Sequence, residues 1–259
     1  GEFFASSLRR YLLNTRKFFA KYPFTSIALD DPRFDPSSAY NTWAGTTNFL
    51  SLIRAPHAFE YHDRHVELTW VLQPILSAMV RMERFAQCLS PWTGEEGFTE
   101  TYSPAILCLL DYVERLCGIL PTPEEELWFT GLLPYAMDHG EVPAEETAYA
   151  RTVDGMKFEL VNTREGSIVY RNGEPSCRFP YGTRLVTDRR GEPRALIGMS
   201  VRSVEGLLEF GGRAYPVNLS GNEVWRINHD HSASSSGSGL IATSTGNLAG
   251  PGVVLPTYY

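Results

Sequence analysis

The sequence predicts an α+β chain, with helices at its start and a small antiparallel β-domain behind them. Three observations carry this. Up to about residue 140, apolar residues recur at spacings of three and four. From 141 to 228 the pattern changes to alternation, punctuated by Asn172-Gly173, Arg190-Gly191 and Gly211-Gly212 where hairpins need positive φ. From His229 onward the composition turns Ser- and Gly-rich. The expected segments are therefore 1–140, 141–228 and a linker with an apolar tail over 229–259.

Phe4, Leu8, Tyr11, Leu12 and Phe19 predict a first helix over 4–20, ending before Tyr22-Pro23. Pro23, Pro32 and Pro36, with Asp30, Asp31 and Asp35, predict a long ordered loop from Tyr22 to Ala44. A second helix is expected over 46–60, kinked or ended early by Pro56. Leu68, Val71, Leu72, Ile75, Leu76 and Met79 give the clearest helical stripe, over 64–84, with a bend at Pro74. Ser103-Pro104 opens another helix, with Ile106, Leu109, Leu110, Val113, Leu116 and Cys117 on one face and Gly118 at its end. Thr122 and Glu125 are spaced as a capping box, so a short helix is expected through Phe129.

Strands are expected at 156–161, 167–171, 184–187, 195–199, 207–210 and 223–227. Residues 232–239 read as a flexible linker, and the apolar stretch 252–259 as a segment that packs on something.

A net charge of −7 and a pI near 5.4, with no basic run, argue against a nucleic-acid-binding surface. No apolar run approaches a bilayer span, and no membrane partner is expected. Cys88, Cys108, Cys117 and Cys177 show no CxxC pair, so free buried thiols and a reducing, cytoplasmic setting are expected. Asn218-Leu219-Ser220 is a lone glycosylation sequon. Gly1 in place of an initiator Met reads as a processed end or the start of a fragment.

Chemistry is expected in the loop between Phe85 and Ser103. Sugar-processing sites combine aromatic platforms with paired carboxylates. Trp43, Trp92, Phe98 and Tyr102 supply the first, and Asp30, Asp31, Glu95, Glu96 and Glu100 the second. A solvated turn with a packed Trp is the competing interpretation. His57, His62 and His65 with Asp63 do not share one regular face, so no metal is expected, and no organic cofactor either.

Two pieces in a fixed order carry a family resemblance: Asn41-Thr42-Trp43-Ala44-Gly45, then Phe85-x-Gln87-x-x-x-Pro91-x-Thr93-Gly94 followed by Tyr102-Ser103-Pro104. Across roughly residues 18–135 the chain resembles the C-terminal part of six-hairpin glycosidases, the (α/α)6-toroid enzymes related to mannosylglycerate hydrolase and processing α-glucosidase. The resemblance implies partial toroid helices followed by the β-domain, and inverting hydrolysis of an α-glycoside by a general acid and a Glu base. The position that would hold that base is Gln87, and an amide cannot take a proton from water.

Glu100, or else Glu95 or Glu96, is then the expected carboxylate; alternatively the loop grips a sugar without cutting it. Trp43, Trp92, Asn48, Tyr102 and Glu95 are the expected substrate-binding residues. A toroid exceeds what this chain holds before residue 140. The resemblance therefore implies a fragment or subunit whose general acid lies outside it, partnered by a complementary N-terminal toroid segment or a second copy. The alternative is a non-catalytic helical scaffold or carbohydrate-binding subunit.

Overall fold

The computed structural model describes residues 1–37, 41–97, 101–137, 142–228, 233–237 and 239–241. Two compact units divide inside one helix, between Tyr112 and Val113; Leu240 and Ile241 belong with the first.

In the first unit, α1 (Glu2–Ser7) runs into a π-helical turn at Leu8–Leu12. After a stretch of turns come β1 (Thr47–Asn48), α2 (Phe49–Leu52), α3 (Ala55–Tyr61), α4 (His65–Met79), β2 (Cys88–Leu89) and the start of α5 (Ser103–Cys117). The expected partial toroid is not present. Toroid hairpins need successive long helices, and among the described residues only α4 and α5 reach 15 residues. The first expected helix stops at Leu12, where Asn14 collects the amides of Lys17, Phe18 and Phe19 into turns. The second is split rather than kinked: Pro56 lies in the first turn of α3, where its missing N–H costs nothing.

α4 is the centre of this unit, with every one of its residues buried. The buried Glu67 carboxylate lies 3.5 Å from the Arg64 guanidinium and accepts the Ile241 amide at 3.0 Å. On α5 the buried face is Ala105, Cys108, Tyr112 and Leu116, whereas Ile106 and Leu110 are exposed. The Tyr112 hydroxyl donates to the Leu52 carbonyl at 2.8 Å, which selects this face.

The second unit is a β-sandwich. One sheet has the order β14-β13-β10-β9-β4-β3, from β14 (Ala233–Gly237), β13 (Glu223–Ile227), β10 (Pro193–Gly198), β9 (Thr183–Asp188), β4 (Glu126–Gly131) and β3 (Ile119–Pro121). The other runs β12-β11-β8-β7-β6-β5, from β12 (Arg213–Leu219), β11 (Val204–Phe210), β8 (Glu174–Phe179), β7 (Gly166–Arg171), β6 (Met156–Thr163) and β5 (Glu146–Val153). Every pairing is antiparallel. Their inner faces share one core, in which Phe129 of β4 meets Phe158 of β6 edge-on at 5.8 Å.

Two sequence expectations are corrected here. The stretch from Thr122 is a hairpin, not a helix: the Thr122 amide donates to the Glu126 carbonyl at 2.9 Å, Glu125 takes φ of 60°, and Leu127 and Phe129 point inward as a strand. The Ser-rich run 233–237 is not linker but edge strand β14, paired along β13 from Glu223↔Gly237 to Ile227↔Ala233. Its serines carry no apolar alternation because the whole strand is exposed.

On β6 the inward row Phe158, Leu160, Asn162 ends in a polar residue that is fully buried. Its amide nitrogen donates towards the carbonyls of Thr130 (3.1 Å), Cys117 (3.2 Å) and Leu132 (3.4 Å), and the Thr147 hydroxyl (3.2 Å). Asn162→Leu strands these acceptors and is expected to lower the stability of the sandwich by about 2 kcal/mol, with far-UV dichroism unchanged. A urea midpoint equal to wild type would show that the acceptors have other donors.

Candidate functional site

The two resemblance-bearing segments are brought together by a row of four short extended pieces in the first unit. Thr25 bridges to Thr47; β1 pairs with β2 through Thr47↔Leu89 and Asn48↔Cys88; Leu89 bridges to Glu96. The row continues one step further, as the Phe49 amide donates to the Gln87 carbonyl at 3.1 Å. Asn41–Gly45 and Ser90–Gly94 therefore flank neighbouring strands.

Two aromatic rings hold these segments in place, and each explains a motif glycine. Gly94 has φ of 73°, and a Cβ there would stand 2.6 Å from the fully buried Tyr22 ring. The Tyr22 amide donates to the Pro91 carbonyl at 3.1 Å, and its own carbonyl accepts the Thr47 hydroxyl at 2.5 Å. Tyr22 thus clamps both motifs at once. Gly45 has φ of 146° and would press a Cβ to 2.9 Å from the Phe34 ring, which meets Trp92 edge-on at 6.1 Å.

The Gln87 carboxamide oxygen accepts from the Thr42 hydroxyl at 3.4 Å, across the two motifs. Trp43 is 41% exposed and Trp92 50%, so both rings keep a face for solvent or ligand. Asn48 is fully buried; its Oδ1 caps α2 by accepting the Leu50 amide at 2.9 Å, and its Nδ2 finds no partner among the described residues. Glu95 is exposed and accepts from the Thr93 hydroxyl at 3.1 Å.

Glu96 is a structural anchor: its carboxylate accepts the amides of Glu83 (2.8 Å) and Arg84 (3.2 Å) and pairs with the Arg84 guanidinium at 3.3 Å. Glu100 and Phe98 lie outside the described residues. On either side of them, the Gly97 amide donates to the Cys88 carbonyl at 2.8 Å and the Tyr102 amide to the Phe85 carbonyl at 2.6 Å. These two anchors bracket Gln87.

The upstream carboxylates are spoken for. Asp30 is paired with Lys17 at 2.5 Å. The hydrogen-bonded guanidinium of Arg33 holds the Asp31 carboxyl down at about 2, which leaves no proton to donate near neutrality. Among the described residues no cluster of three or more His, Cys, Asp or Glu could hold a metal ion. All four cysteines are free and buried, as their spacing predicts. Burial pushes Cys108 up to about 12 and Cys117 and Cys177 to about 11, far from a nucleophilic thiolate.

Sequence reasoning missed Tyr22, Phe34 and Thr42. The only local signal is the motif glycines themselves, each of which implies a group pressed against its backbone. No protein-family profile, curated protein or solved structure matches the chain.

Two outcomes follow. Gly94→Ala should cost about 3 kcal/mol, because left-handed strain adds to a clash with an immobile ring. Gly212→Ala, at φ of 72° with open space around it, should cost only about 1 kcal/mol. Equal shifts in urea midpoint would remove Tyr22 as the constraint. An aromatic disulfide reagent should leave the native thiols unmodified and label all four after denaturation; rapid native labelling would contradict their burial.

Proposed function

We propose that the chain is a carbohydrate-binding component of a glycoside-hydrolase-type protein, with the paired-motif surface of the first unit holding an α-linked sugar. The observation that carries this reading is the juxtaposition of the two motifs by β1 and β2, with Gln87 and Thr42 hydrogen-bonded across them and one partly exposed indole in each motif, Trp43 and Trp92. Trp43 and Trp92 offer platforms for the apolar face of a pyranose. Gln87 both donates and accepts, as a ring hydroxyl requires. Four reduced, buried thiols fit a reducing compartment. No helix among the described residues is long and apolar enough to cross a membrane.

A second reading, in which the chain itself takes part in hydrolysis, is favoured by one observation. The described neighbours of Glu100, Gly97 and Tyr102, are hydrogen-bonded on either side of Gln87, the position where the family's base would stand.

Calorimetry with α-linked di- and trisaccharides separates these readings. Trp43→Ala and Trp92→Ala should each weaken binding up to about tenfold with the fold retained. Affinity unchanged in both would overturn the binding surface. Glu100→Gln should abolish any hydrolysis under the second reading and leave binding intact under the first.

A further inference from the structure

The sandwich contains a seam. β11 and β12 pair through seven residue pairs, but β11 and β8 through only two, Glu209↔Arg178 and Phe210↔Cys177. Beside this short contact opens a cavity of about 730 Å³ between β8, the β9–β10 turn and the β11–β12 hairpin. A second cavity, of about 370 Å³, lies along the same seam and shares Arg178 and Glu209 with the first. The volumes fall in the range of small-ligand sites.

The first cavity is lined by three guanidiniums, Arg171, Arg178 and Arg213, and three carboxylates, Glu174, Glu192 and Glu209. Arg171 and Glu192 satisfy each other at 3.1 Å. The side chains of Arg178, Arg213, Glu174 and Glu209 make no hydrogen bond or ion pair among the described residues. An anion would meet the Glu174 and Glu209 carboxylates there. A cation would meet two free guanidiniums. A neutral polyol meets neither penalty, since vicinal hydroxyls accept from a guanidinium and donate to a carboxylate. Pro175, Pro193 and Phe210 supply apolar wall, and the Phe210 ring is held by stacking on Tyr215 at 5.0 Å.

We propose that the seam between β8 and β11 is a second, separate binding cleft for a neutral oligosaccharide, with Arg178, Arg213, Glu174 and Glu209 as its hydrogen-bonding groups. It lies wholly in the second unit and does not rest on the Trp43–Trp92 surface.

The test uses the full chain carrying Trp43→Ala and Trp92→Ala, titrated calorimetrically with maltotriose, α-1,2-mannotriose and cellotriose. At least one should bind, and adding Arg178→Ala or Glu209→Gln should weaken it at least tenfold while the urea midpoint stays put. Arg213→Ala, on the exposed hairpin, serves as a second variant that leaves the core untouched. No binding of any trisaccharide up to about 10 mM overturns the cleft, as does tighter binding of a sulfated trisaccharide or an oligolysine. The first-unit surface fails separately, if wild type and the double Trp variant bind identically.

Discussion

The two motifs are tied together through one residue, Tyr22. Tyr22 is buried under Gly94, donates its amide to Pro91 and accepts the Thr47 hydroxyl, so a single residue joins the turn after β2 to the strand β1. The backbone ladder between β1 and β2 is only two residues long, too short to set a register unaided. The ring makes up the difference: it fits only against a glycine, and the glycine at 94 fixes which part of the loop lies there. Phe34 repeats the arrangement under Gly45 and passes the contact on to Trp92. Two side chains from one Pro-rich stretch, Tyr22 and Phe34, thereby position the two motifs.

The sandwich is organised by a different rule. Alternation along β6 and β7 places Phe158, Leu160 and Val169 in one apolar layer shared by both sheets, joined by Leu185 of β9, whose residues Thr183 to Thr187 are all buried. One polar side chain, Asn162, enters that layer at the end of the inward row of β6, whereas Arg184 is buried on the face of β9 opposite Leu185. Asn162 gathers three carbonyls from two other segments, the end of α5 and the end of β4, and Arg184, fully buried, donates to the Thr130 hydroxyl and the Arg115 carbonyl at 2.9 Å each, with the Trp128 ring 4.7 Å away. Such groups favour one packing of the sheets, since any slip leaves buried carbonyls without donors.

What could be read in advance follows from range. α4, α5 and six of the strands announce themselves because their apolar periods are local and strong. β3 and β4 do not, since Thr122-Pro123-Glu124-Glu125 carries the chemistry of a helix start; only the inward demand of Leu127 and Phe129, and β9 beside them, turns that stretch into a hairpin. β14 is invisible for the opposite reason: its serines bury nothing, and its pairing comes from the free edge of β13. The toroid expectation failed on a similar point. The apolar stripes before residue 64 are interrupted by proline and turn chemistry, which the order of the segments does not reveal. Tyr22 and Phe34 were beyond reach because a ring opposite a glycine is a long-range match with no periodic trace.

The chemistry of the site turns on where its carboxylates are spent. Glu96 is committed to two amides and a guanidinium, Asp30 is paired with Lys17 and Asp31 with Arg33. The Glu95 carboxylate is exposed and accepts from the Thr93 hydroxyl. At the centre stands Gln87, an amide that recognises hydroxyls but leaves their protons where they are. Exposed indoles beside a neutral hydrogen-bonding side chain make a surface suited to holding a sugar. Cutting one would require, in addition, a carboxylate oxygen free to take a proton from water.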